Sequence, residues 1–182
     1  PAHAQRAGNI GGCDIRRGTL CTNLNLNGAN LEGVNLANSQ FTRSDLSGAN
    51  LRGATLNEAN FSQAEMAGAT LDGASMLRTN LRGARLTGAS FKEANLRNAI
   101  LQNADLHDAD LSAAQLGGAD LTNARAERTR FDGADQRRLP VGGVRPFPEG
   151  VFRQQRITTP SHCDDGQVAG VETGGGKGSK YF

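Results

Sequence analysis

Residues 44–73 read SDLSG-ANLRG-ATLNE-ANFSQ-AEMAG-ATLDG, and this stretch decides the fold. In each block of five the first residue is small and the third is large and apolar. The last two residues of the block are polar or glycine, with Ala67 the one exception. The phase runs outward from there in both directions. From Leu26 to Leu121 every fifth residue is Leu, Phe or Met; Ala126 interrupts the series and Phe131 resumes it. An internal repeat of this regularity fixes the architecture before any other feature is weighed.

A period of five is neither 3.6 nor 2, so one continuous helix or strand does not account for it. Residues two apart lie on one face of an extended chain, and the residue between them points the other way. Each block therefore predicts a short strand, with its small and large residues turned inward, followed by a two-residue corner. Gly28, Gly33, Gly48, Gly53, Gly68, Gly73, Gly83 and Gly88 occupy the second corner position. A type II corner needs positive φ there, which glycine adopts without steric cost.

The number of sides follows from the spacing of other residues. Gly28, Gly48, Gly68 and Gly88 recur every twenty positions, and the outward column Glu32, Arg52, Asp72, Lys92 alternates in sign at the same spacing. Read every fifteen positions from the same start, the column gives Glu32, Ser47, Ser62 and Leu77, without pattern. Four blocks per coil make a square tube. Stacked at the sheet spacing of roughly 4.8 Å, the repeat predicts about five to six coils and a rod about 26 Å long.

These residues resemble the pentapeptide-repeat family, from Leu24 to about Asp135. The resemblance implies an all-β fold: a right-handed quadrilateral β-helix, or solenoid. The handedness comes from the family and not from the spacing. Three segments are expected: an N-terminal arm and cap over 1–23, the repeat β-helix over 24–135, and an irregular Pro/Gly-rich tail over 136–182.

The 182 residues include no Trp, one Tyr and 24 Gly, with a formal net charge of +2. Few aromatics and many polar residues would indicate disorder in an ordinary chain. Here the strict register outranks composition. No run approaches the ~20 apolar residues of a membrane span. Acidic and basic residues nearly balance within the repeat, so the slight positive excess lies in the flanks.

Before the repeat, Ala2-His3-Ala4 is compatible with the small-x-small end of an export signal, or with a plain flexible terminus. Cys13 and Cys21 flank a short segment where the tube would expose its open end. A disulfide between them would pin a capping loop and fit an oxidising compartment. Cys21 also falls on the central phase, where it would serve as a small core residue without any bond. Cys163 is left over in either reading.

Catalytic chemistry is not legible. His3, His107 and His162 have no ligand spacing. Gly176-Lys177-Gly178-Ser179 lacks the order and the strand–helix frame of a phosphate loop. Asp105, Asp108 and Asp110 are better read as solvated corner residues than as a cation site. The expectation is a protein that is not an enzyme, with no catalytic residues, no cofactor and no metal.

The candidate contacts to a partner are the outward apolar residues Leu77 and Ile100, the basic end formed by Arg125, Arg128, Arg130, Arg137 and Arg138, and the terminal pair Tyr181 and Phe182. The expected partner is a protein, in a larger assembly that orders the tail. No nucleic acid is expected, and a membrane is met only through the partner. The N-terminal features resemble pentapeptide-repeat proteins of the thylakoid lumen. They point to an exported accessory subunit, in the thylakoid lumen or periplasm, held on the lumenal side of a photosynthetic membrane complex. The alternative is a DNA-mimicking gyrase inhibitor or protector of the pentapeptide-repeat type. It requires a strongly negative rod, because the enzyme's channel is built for phosphate charge.

Overall fold

Thr55 pairs in parallel with Asn35 on one side and Ser75 on the other, and the whole fold repeats that relation. The computed structural model describes residues 8–135. Parallel bridges join residues twenty apart in an unbroken series from Leu20↔Gln40 to Gln115↔Asp135. Four blocks thus complete one coil, as the glycine spacing predicts.

One block shows why the geometry is stable. Buried backbone donors must find partners, and the five of residues 51–55 all do. Leu51 N donates to the Thr70 carbonyl at 2.7 Å and Gly53 N to that of Asp72 at 2.9 Å, both on the following coil. Ala54 N closes the corner on the Leu51 carbonyl at 3.1 Å, and Thr55 N reaches back to the Val34 carbonyl at 2.9 Å. The fifth donor, Arg52 N, has no backbone acceptor. It bonds the Asn50 side-chain oxygen at 3.1 Å. An Asn or Asp side chain accepting two residues on is an Asx-turn. The same bond recurs from Asn25, Asn60, Asn80 and Asp120.

The corners follow the same period. From Gly18 to Gly133 every fifth residue has positive φ, whether or not it is glycine. Asn38, Arg43, Glu58, Arg78 and Ala113 all adopt this conformation, with φ between 55° and 61°. The sequence signals only the glycine corners. The hydrogen bonds to the next coil hold the others in place despite a cost of about 1–2 kcal/mol for a residue with a Cβ.

Inside, the large and small residues make one dry channel. Leu31, Leu51, Leu71 and Phe91 form one inner column and are fully buried, as are the alanines between them such as Ala54 and Ala74. Phe41 and Phe61 stack in another column, ring centroids 5.0 Å apart and nearly parallel. A buried apolar side chain contributes about 1.5–3 kcal/mol, so a core one side chain wide on each wall is sufficient when every block supplies it.

The N-terminal opening is covered. Strands β1 (Asn9–Ile10) and β2 (Cys13–Asp14) form a small antiparallel hairpin. Its turn residues Gly11 and Gly12 both have positive φ, as a two-residue type I′ turn requires. A Cβ on Gly11 would lie 2.5 Å from the Asn25 carbonyl oxygen, so the hairpin sits directly on the first coil. Cys13 and Cys21 are bonded, with Cα atoms 5.3 Å apart. Cys21 is also buried on the central phase. The structure carries the bonded reading of Cys21, and the bond leaves the residue in the core.

Candidate interaction faces

A tube of this kind places its outward residues in four flat columns. Each column is named here by one member. The Ile100 face carries Leu20, Gln40, Asn60, Asn80, Ile100 and Asp120. The Arg85 face carries Asn25, Asp45, Glu65, Arg85, Asp105 and Arg125, and the Ser90 face carries Asn30, Asn50, Thr70, Ser90, Asp110 and Arg130. The Ser75 face, with Asn35, Thr55, Ser75, Asn95 and Gln115, is uncharged up to Asp135.

Among the described residues, the arginines of the basic end are paired. Arg128 Nε lies 2.6 Å from Asp108, one coil below it, and Arg125 and Arg130 lie 3.7 and 3.6 Å from Asp105 and Asp110. Arg130 also reaches Asp132 at 3.2 Å, and Lys92 approaches Asp110 at 3.5 Å. The Arg128 hydrogen bond holds the Asp108 carboxyl below its usual range, and the same contact raises the guanidinium. His107 sits between them, near Asp108 at 3.4 Å and Glu127 at 3.8 Å, with its Nδ1 buried and without a hydrogen bond.

The three carboxylates read as solvated rather than cation-binding, Asp105, Asp108 and Asp110, each have a partner within the chain. Asp105 accepts from His107 N, Asp110 from Ser112, and Asp108 from Arg128. No group of side chains able to hold a metal ion is found among the described residues. Asn60 caps Ser62 N at 3.0 Å and donates to Gln40, so it too serves the repeat.

The alternating column Glu32, Arg52, Asp72, Lys92 forms no ion pairs along its length. Asp72 instead accepts from Ser90 Oγ and from Lys92 N at 3.1 Å, and Glu32 takes the Asn50 amide at 3.2 Å. Along other columns the charges do meet. Arg78 lies 3.4 Å from Glu58 and Arg85 lies 3.3 Å from Glu65.

The candidate contacts fall in two places. Arg125, Arg128 and Arg130 cluster around the edge between the Arg85 and Ser90 faces. Ile100 lies on another face and is 38% exposed; Leu77, at that face's corner, is half-buried. Leu20 was not among the expected residues, yet it is 79% exposed and stands in the same column as Ile100. Its outward phase, eighty residues before Ile100, was the available signal. Arg137, Arg138, Tyr181, Phe182, His3, His162 and Cys163 lie outside the described residues.

A parallel ladder with a twenty-residue pitch, inward Ala and Leu, and corners at every fifth residue defines a four-sided β-solenoid. The chain belongs to the pentapeptide-repeat family: eight copies of the repeat match, over residues 19–63, 44–81, 64–103, 89–125 and 109–135. The winding is therefore the right-handed β-helix of that family. No curated sequence matches the chain. Among solved structures it is similar to HetL, a pentapeptide repeat protein involved in heterocyst differentiation regulation from the cyanobacterium Nostoc. The two share 29% identity over 63% of this chain and 61% of that one, with a TM-score of 0.49. A pentapeptide repeat protein from the cyanobacterium Cyanothece shares 29% identity over 62% of this chain and 91% of that one, with a TM-score of 0.41. One from the Arabidopsis thaliana thylakoid lumen shares 32% identity over 57% and 62%, with a TM-score of 0.28. The chain thus spans less than two thirds of the length of HetL and of the Arabidopsis protein.

Proposed function

We propose that the protein is a non-enzymatic interaction module, an exported accessory subunit held on the lumenal side of a membrane complex, in the thylakoid lumen or the periplasm. The observation that carries the reading is the Cys13–Cys21 bond across the capping hairpin. Disulfides persist in oxidising compartments and are rare in the cytosol of mesophiles. The remainder of the reading rests on the flat faces. Each is a parallel ladder bonded to the next coil, and its carboxylates Asp45, Glu65, Asp110 and Asp120 are committed to turns and ion pairs. Such a surface offers docking area and not a reaction centre.

A rod that imitates DNA needs one sign of charge along its length. Here Arg85, Arg125, Arg128 and Arg130 sit directly against carboxylates. That pairing favours the accessory role over gyrase mimicry.

The test is to isolate the native protein from gently solubilised membranes, photosynthetic ones first. Recovery within a large complex, with Cys13 and Cys21 resistant to alkylation until reduced, is the expected result. Recovery only as a free monomer with reactive thiols would overturn the reading.

A further inference from the structure

The charges of the tube are not distributed evenly around it. Arg82 and Arg97 flank Ile100, at the two corners of its face, and neither side chain has an ion pair or hydrogen bond among the described residues. Their positions are fixed by the coil. Arg97 is in the coil position directly beyond Leu77, and Asn80, which leads to Arg82, is bridged to Ile100. Across the tube, on the Ser90 face, Asp110 is shared by Lys92 and Arg130, so charge there is satisfied internally. The Ile100 face is therefore where unspent positive charge and exposed apolar surface coincide.

We infer that the Ile100 face, with Leu77, Arg82, Arg97 and Ile100 at its centre, docks an acidic protein surface that presents apolar residues between its carboxylates. The inference rests on the accessory role proposed above and names the surface that role would use. The chemistry selects a protein. Tight duplex binding draws on many phosphate contacts along a continuous cationic track. Here amides and an isoleucine separate the arginines. Adhesion to an anionic membrane builds up from clusters of basic residues near the surface, and two guanidiniums give little. An apolar centre with a charged rim is the usual composition of a protein interface, and complementary rim charges steer the encounter and fix its register.

The test uses the full 182-residue chain and a fluorescent peptide of alternating Glu and Leu. Binding is expected, with affinity falling roughly tenfold in the double variant Arg82→Glu/Arg97→Glu and in Ile100→Asp. Arg52→Glu is the control, because Arg52 is another cation without an ion pair among the described residues, on a corner away from this face. Its binding is expected to match that of the unaltered chain. An equal loss with Arg52→Glu, no binding at all, or tighter binding to phosphatidylglycerol vesicles or to duplex DNA would each overturn the inference. A double variant that still co-purifies with the native complex also overturns it while leaving the accessory role intact. Peptide binding by a chain recovered only as a free monomer does the reverse.

Discussion

Thr79 Oγ1 donates a hydrogen bond to the Leu56 carbonyl at 2.8 Å from inside the tube. Thr79 stands where most blocks have Ala and is fully buried. Thr129 makes the same bond to the Leu106 carbonyl at 2.7 Å. The accepting carbonyl already receives Ala59 N, so the hydroxyl uses its second lone pair. Thr79→Ala leaves no polar group unpartnered and restores the commonest residue. It is expected to cost about 1 kcal/mol or less in urea unfolding. Leu81→Ala removes a fully buried wall residue, and its expected cost is roughly 2–5 kcal/mol. Equal costs for the two would show that the channel does not distinguish its wide and narrow positions.

The inward pattern was legible because burial imposes a strict choice on every block, and Leu, Phe and Ala leave a period that can be counted. The outward residues obey a subtler rule. One backbone donor per block has no carbonyl to meet, so Asn or Asp is wanted beside it whatever the surface does. Read as charge alone, Asp72 belonged to an alternating column; in the structure it satisfies Lys92 N. Leu20 was missed for a different reason. Its block lies in the cap region, where Cys21 replaces a leucine and the series is hard to follow. That Ile100 shares its face with the unpaired Arg82 and Arg97 emerges only when the chain is wound.

Ala113 tests the corners. It has φ 57° where the outer position is exposed, and its N–H is held by the Asp132 carbonyl at 2.8 Å. Ala113→Gly relieves left-handed strain at some cost in chain entropy, for a net gain of about 0.5–1 kcal/mol. Gly68 is the mirror case, with nothing within 4 Å of where a Cβ would stand. Gly68→Ala is expected to lose about 1 kcal/mol from strain alone. Thermal melts of both variants check the pair; shifts of the same sign would contradict the argument.

The cap should unfold more readily without its bond. Cys13 and Cys21 close a short loop, eight residues apart in sequence. A loop of that size gives roughly 2–3 kcal/mol by the chain-entropy argument. Cys13→Ala keeps Cys21 in the core and removes only the tether, so its effect separates the bond from the packing. Reductant should lower the urea midpoint of the native chain and leave that of the variant unchanged. Faster hydrogen exchange is expected at Ile15 N, which bonds Gly8 across the cap at 3.4 Å.

Acid should act on the Asx-turns. Asp120 accepts from Thr122, side chain and backbone, and from Gln102, and these bonds hold its carboxyl below the ordinary 3.8. A carboxylate with a depressed native pKa stabilises the fold above its unfolded value and loses that contribution as pH falls through the native one. The stability of the chain is therefore expected to be level near neutral pH and to decline below pH 3.8, where unfolded Asp120 takes up its proton first. Asp120→Asn keeps an oxygen for Thr122 N, now 2.9 Å away, and Gln102 can turn its amide over to accept from the new donor. Unfolding followed against pH should show the variant close to the native chain at pH 7 and less sensitive in acid. A variant equally acid-sensitive would mean that the Asp120 carboxylate, though well bonded, does not contribute to the acid transition.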